Sequence, residues 1–180
     1  MLLLENGKFY ELYQDDGAFA VQKLGLRGVQ KSSGYFEAGV PTTQEDFYVR
    51  RILACGRRVA LARQSDDVDP RYKIQRRAVT RVISPGSVGD PGLLGPRTGL
   101  LLVRRVAGAE GNAVGGAARF QGVFLDAFAG EFFYVSYATE QDVLRAAEYL
   151  QPAEVLLEDD AALLALLRHV CAGAMLQSLP

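Results

Sequence analysis

The stretch "GKFYELY", Gly7 to Tyr13, decides how the chain is read. Its alternation predicts a half-buried strand, in which successive side chains point to opposite faces. Phe9, Glu11 and Tyr13 then share one face, and Lys8, Tyr10 and Leu12 the other. A face that buries Phe9 would also tend to bury Glu11, which costs roughly several kcal/mol unless the carboxylate finds a partner. An exposed face shows a bare phenyl ring instead. Either arrangement misplaces one residue for folding alone, and such misfits are expected at functional sites.

Around this strand the chain has 180 residues, of which 49% are hydrophobic. That is enough to build one large core or two small ones. Cys55 and Cys171 lie far apart, without the spacing of a zinc set or a disulfide framework, which fits a reducing compartment. His169 follows a leucine run and has no Ser or Cys partner nearby in sequence, so it is read as a packing or surface residue. The opening "MLLLEN" lacks a basic leader and an apolar core of signal-peptide length. Arg168 interrupts the most hydrophobic stretch, so no apolar run suffices to cross a bilayer. Residues 1–95 carry 14 Lys and Arg against 11 Asp and Glu, whereas residues 96–180 carry 6 against 10. The first half is therefore the one expected to meet an anionic partner.

The pattern of elements predicts an α/β protein of two small domains, 1–95 and 96–180. Their boundary is drawn in the Gly- and Pro-dense "SPGSVGDPGLLGPRTG", Ser84 to Gly99. In the first half, Leu2 to Leu4 and Phe9 to Tyr13 read as strands. Asp15 or Asp16 is expected to cap a helix that buries Phe19, Val21 and Leu24 and stops at Gly25. Thr42 with Glu45 suggests a capping box opening a helix through Cys55, with Tyr48, Ile52 and Cys55 on one side. "RRVALARQ", Arg57 to Gln64, and "RRAVTRVIS", Arg76 to Ser84, read as strands with exposed arginines. In the second half a strand over Gly99 to Val106 leads into a Gly/Ala-rich loop, Ala107 to Ala118. A hairpin over Gln121 to Tyr137 turns at Ala129 and Gly130, Thr139 caps a helix to Leu150, and "PAEVLLED" supplies a strand before a helix from Ala161 to Cys171. Alternating helices and strands there predict a three-layer unit.

Several chemistries lack their motif. No phosphate-binding loop, dinucleotide fingerprint, H-E-x-x-H or G-x-S-x-G occurs. Asp126, Glu131, Asp159 and Asp160 would have to cluster to hold the cations of a metal-dependent nuclease, and nothing in their spacing brings them together. They read as surface or capping acids, so no enzyme is expected in this segment. A non-catalytic protein-interaction module remains an alternative function, with an RNase H-like metal nuclease behind it.

A mismatched base pair is a target that wants both Phe9 and Glu11. Its weakened stacking lets a wedge enter, and an aromatic ring on the exposed base recovers roughly 1–3 kcal/mol. A carboxyl two residues along the same face lies within reach of the stacked base's edge. Discrimination then follows how easily the duplex deforms.

At these residues the chain resembles a known family. "GKFYELYQDDGAFAVQKLGL" is similar to the start of the mismatch-recognition domain of the MutS family, and Phe9-Tyr10-Glu11 falls on its Phe-x-Glu motif. The similarity continues in "AGVP", Ala38 to Pro41, in "RRVALARQ" and in "AVTRVISPGS", Ala78 to Ser87. "GVFLDAFAGEFFYV" with "PAEVLLED" resembles the family's connector domain, an RNase H-like fold. The resemblance implies a mixed-sheet recognition domain over 1–95 and a connector over 96–180. It implies that Phe9 stacks on a mispaired base from the minor groove and that Glu11 bonds to that base, with Lys8 and Lys31 as phosphate neighbours. Mismatched double-stranded DNA is the implied partner, with no membrane and with a MutS-homologue partner subunit bound through domains absent here. The segment itself is expected to need no cofactor, ATP and Mg belonging to the family's ATPase domain. Lys8 and Leu12-Tyr13 look most similar to the mismatch-contacting subunit of the eukaryotic MutSα branch. Location would be nuclear in a eukaryote, cytoplasmic and nucleoid-associated in a bacterium. Because family members continue into lever, clamp and ATPase domains, the chain is expected to be a fragment whose DNA affinity is weak and salt-sensitive.

Overall fold

A computed structural model of the chain describes residues 1–106, 119–158 and 160–179. The loop read at Ala107 to Ala118 and the acid Asp159 lie outside the described residues. The chain divides into two units, Met1–Ile83 and Ser84–Pro180, each an α/β fold built on one mixed sheet.

In the first unit Leu2–Asn6 (β1), Phe9–Tyr13 (β2), Gln14–Leu24 (α1), Gly28–Gln30 (β3), Phe36–Pro41 (β4), Glu45–Ala54 (α2), Val59–Val68 (β5) and Gln75–Ile83 (β6) follow in order. The strands form one sheet in the order β3-β4-β2-β1-β5-β6. Only β1 and β5 run parallel; the other neighbours are antiparallel. Tyr10 pairs with Val40 and Leu12 with Ala38, and all four are buried together with Ala20 and Leu24 of α1 and Val49 and Ile52 of α2. Both helices therefore cover the Tyr10 and Leu12 face.

Helix α1 ends as its glycine predicts, with Gly25 in the left-handed region at φ 72°. Its start differs from expectation. Tyr13 occupies the N-cap without a side-chain capping bond, and Asp16 instead accepts the Leu2 N–H at 2.8 Å. Gly17, Ala20 and Leu24 are the buried positions of α1, while Phe19 is half-buried with the Arg57 guanidinium 4.2 Å over its ring. The capping box read at Thr42 and Glu45 is likewise replaced. Thr42–Gln44 forms a 3-10 turn, and α2 starts without a side-chain cap because Glu45 turns to Tyr10 and Arg63. Val49, Ile52 and Leu53 are buried on α2, whereas Cys55 is exposed.

The second unit comprises Leu100–Arg105 (β7), Phe120–Asp126 (β8), Glu131–Tyr137 (β9), Glu140–Leu150 (α3), Glu154–Glu158 (β10), Ala161–Val170 (α4) and Met175–Leu179 (β11). Its sheet order is β11-β10-β7-β8-β9. Strands β7, β8 and β9 form an antiparallel meander, and β10 lies parallel to both β7 and β11. Thr139 and Asp142 form the capping box of α3, and Gly130 takes φ 70° in the β8–β9 turn, as the sequence predicts.

The compact units part at 83/84, at the leading edge of the Gly- and Pro-dense segment, which is packed structure. Its 3-10 turn Pro85–Ser87 closes a Ser84–Ser87 capping box, Gly86 donates its N–H to the buried Glu154 carboxylate at 3.2 Å, and Leu93 is only 1% exposed. The three-layer expectation fails, since α3 and α4 join one cluster with Leu101, Val103, Val155 and Leu157 on a single face of the sheet. Among the described residues no helix covers the other face. Right-handed crossovers explain it: the connections β7 to β10 and β10 to β11 step across the sheet in the same direction, which places both helices on one side.

Candidate nucleic-acid interface

Strand β2 lies between β1 and β4, and its alternation gives its two faces different work. Tyr10 and Leu12 point to the helices, so Phe9, Glu11 and Tyr13 point to the face that neither helix covers. Phe9 is 50% exposed. It stands opposite Asn6 on β1 and Pro41 on β4, and its ring lies over Gly39, where an added Cβ would sit 3.6 Å from Phe9 Cδ1. Gly39 is itself the partner of Glu11, so the sheet beside the acid is bare.

Glu11 is not an incidental surface acid. Asn6 Nδ2 donates to its Oε1 at 2.8 Å, and the Tyr13 hydroxyl donates to its Oε2. Burial, and then the bond to Glu11, push the Tyr13 phenol well above its ordinary range, so it stays protonated and remains a donor. The Tyr13 ring packs edge-on to Tyr35 with centroids 5.6 Å apart. Asn6 and Tyr13 are the Glu11 partners that sequence reasoning did not assign. Tyr13 was legible as sharing the face, but Asn6 arrives only through the β1–β2 register.

The two lysines fare differently. Lys8 is exposed in the β1–β2 turn, where its carbonyl accepts the Thr42 N–H at 3.0 Å and the Thr42 hydroxyl at 3.2 Å. Lys31 pairs with Glu37 at 2.5 Å, a bond that raises the lysine's pKa. On the opposite face the buried Tyr10 donates to Glu45 at 2.5 Å, which Arg63 also holds at 2.9 Å. Burial and the Glu45 bond push the Tyr10 phenol up to about 12. This trio ties β2 and β5 to α2 and supports the face that carries Phe9.

Two acids of the second unit, Asp126 and Asp160, hold local backbone N–H groups as caps. Asp126 accepts the Phe128 and Ala129 N–H groups, both at 2.9 Å, and the Thr98 hydroxyl at 2.5 Å. Asp160 accepts the Leu163 N–H at 3.0 Å and is gripped by Arg105. Burial alone would raise both carboxyls, but these donors outweigh it and hold each below its ordinary value. Among the described residues no three His, Cys, Asp or Glu side chains are placed to hold a metal ion. Because each folded-state value lies below the unfolded one, near 3.8, the caps contribute their full stability above that pH and lose it as pH falls toward the folded value. The urea midpoint of the chain is expected to decline below about pH 4, with a shallower decline in Asp126→Asn. An unchanged slope in that variant would remove the capping role.

With the fold and face in place, comparison with known proteins gives the lineage. The family profile described as MutS domain I matches residues 1–91. The DNA mismatch repair protein MutS of Rhodopseudomonas palustris strain BisA53 is 32% identical over 185 residues, covering 96% of this chain and 20% of that protein. The namesake from Nitrobacter winogradskyi is 31% identical, covering 94% and 20%, and that of Acaryochloris marina is 32% identical, covering 89% and 18%. The chain belongs to the MutS family, through its domain I. It spans about a fifth of the length of these curated relatives. They are bacterial, so the nuclear alternative and the eukaryotic likeness draw no support from them.

Proposed function

We propose that this chain binds duplex DNA at mispaired bases in DNA mismatch repair, with Phe9 stacking on the mispaired base from the minor groove and Glu11 hydrogen-bonding its edge. The observation that carries the reading is a half-exposed phenyl ring beside a carboxylate already held by two donors, on a sheet face that no helix of its unit covers. The relatives' role as DNA mismatch repair proteins supports it. Entry of the ring costs less at a mispair than at a sound step, and stacking returns about 1–3 kcal/mol. Lys8 lies next to the ring in the chain and suits a phosphate neighbour; Lys31 serves only by exchanging Glu37 for phosphate. The second unit, with its meander and two parallel strands, fits an RNase H-like connector. The chain's part is binding, in a bacterial cytoplasm at the nucleoid, and ATP, Mg and a MutS-homologue partner subunit are assigned to domains other than these two.

The test is competition at low salt, where phosphate contacts are strongest. Unlabelled duplex with one G·T mispair is expected to displace a labelled mispaired duplex at a concentration at least about fivefold lower than fully paired duplex does. Equal competition by the two duplexes would overturn the reading.

A further inference from the structure

Resting on that reading, we propose that Asn6, Tyr13 and Arg77 are positioning residues that fix the Glu11 carboxylate beside Phe9 for contact with a base edge. The four side chains form one line of hydrogen bonds across β6, β1 and β2. Arg77 donates through Nε to the Glu5 carbonyl at 2.6 Å and through Nη2 to Asn6 Oδ1 at 3.3 Å. A guanidinium only donates, so the Asn6 oxygen faces it and the Asn6 amide nitrogen is turned to Glu11, which it meets at 2.8 Å. The Tyr13 hydroxyl closes the line on the second carboxylate oxygen.

The consequence is orientation without blockade. Each carboxylate oxygen has two lone pairs, so one donor apiece leaves Glu11 able to accept from a base N–H. An unheld glutamate would spend binding free energy on freezing its own torsions, and the two donors remove that cost before DNA arrives. The Tyr13 phenol, held above its ordinary range, keeps its proton and so its grip. The turn that delivers Asn6 is itself fixed by the Gly7 N–H donating to Gln64 Oε1 at 3.1 Å.

The experiment uses the whole 180-residue chain and the variants Tyr13→Phe and Asn6→Leu, each read in two ways. Without DNA, the side-chain carboxyl carbon resonance of Glu11 is expected to move in both variants, with the melting temperature kept. With DNA, the preference for the G·T duplex over the paired one is expected to fall about fivefold in each. Tyr13→Phe is expected to add nothing in a Glu11→Ala background, the non-additivity that marks action through Glu11. An unmoved carboxyl resonance, or a further loss in the Glu11→Ala background, overturns the inference. If Phe9→Ala destroys the preference while Tyr13→Phe and Asn6→Leu leave it intact, the positioning inference alone falls. If the unsubstituted chain shows no preference, the mismatch reading falls and takes this inference with it.

Discussion

Phe9→Ala is expected to erase the preference for a mispaired duplex while moving the melting temperature by no more than about 4 °C. The two halves of that result come from one observation. A ring that is 50% exposed over a glycine contributes little to a core, so its removal falls in the class of surface substitutions. The same ring is the proposed wedge, and losing its stack removes about 1–3 kcal/mol from the mispaired complex, or roughly 5- to 150-fold in affinity. Competition binding reads the first quantity, and thermal unfolding followed by circular dichroism reads the second. A variant that melts far below the parent while retaining its preference would assign the ring to folding and leave the face without its wedge.

The contrast between ring and core was legible in "GKFYELY" because strand alternation needs no tertiary information. Period two puts Phe9 with Glu11 and Tyr10 with Leu12, and the β2–β4 register keeps that division. Local punctuation was equally readable: Gly25, Gly130 and Thr139 each do what their chemistry predicts where it predicts. What the sequence hides is anything decided by a distant partner. Glu45 has the spacing of a capping box, yet Tyr10 and Arg63 draw its carboxylate away, and both reach it only once the sheet has formed. Strand β3 has three residues and β4 contains Gly and Pro, so neither has enough pattern to outweigh turn signals. Strand β11 is read only from its pairing beside β10. The Gly- and Pro-dense Ser84 to Gly99 resembles a linker by composition, because tight 3-10 turns and flexible connections use the same residues. At the site, Glu11's need for a partner was visible and its partner Asn6 was not. That identity depends on which β1 residue the hairpin turn sets against Phe9.

Leu12→Ala is expected to do the reverse of Phe9→Ala, three positions further along the same strand. Leu12 is fully buried, at 0% exposure, so truncation loses the transfer free energy of its side chain and leaves a cavity, together about 2–5 kcal/mol. The upper half of that range applies if the helix above cannot settle into the gap. The backbone of α1 is already in close approach there: a Cβ added to Gly17 would lie 2.8 Å from the Leu12 carbonyl oxygen and 3.4 Å from the Ala38 nitrogen. Helix and strand are in contact through their main chains, which leaves little travel to close a void. A drop of at least about 10 °C in the melting temperature follows for a unit of this size, and roughly a third of a typical total stability is lost. Below that lowered transition the mismatch preference is expected to persist, because Phe9 and Glu11 stand on the other face. The two substitutions together therefore report the register of β2. A one-residue slip would exchange the faces and with them the outcomes, so a Phe9→Ala variant that unfolds as readily as Leu12→Ala would contradict the strand placement on which both the fold and the interface depend.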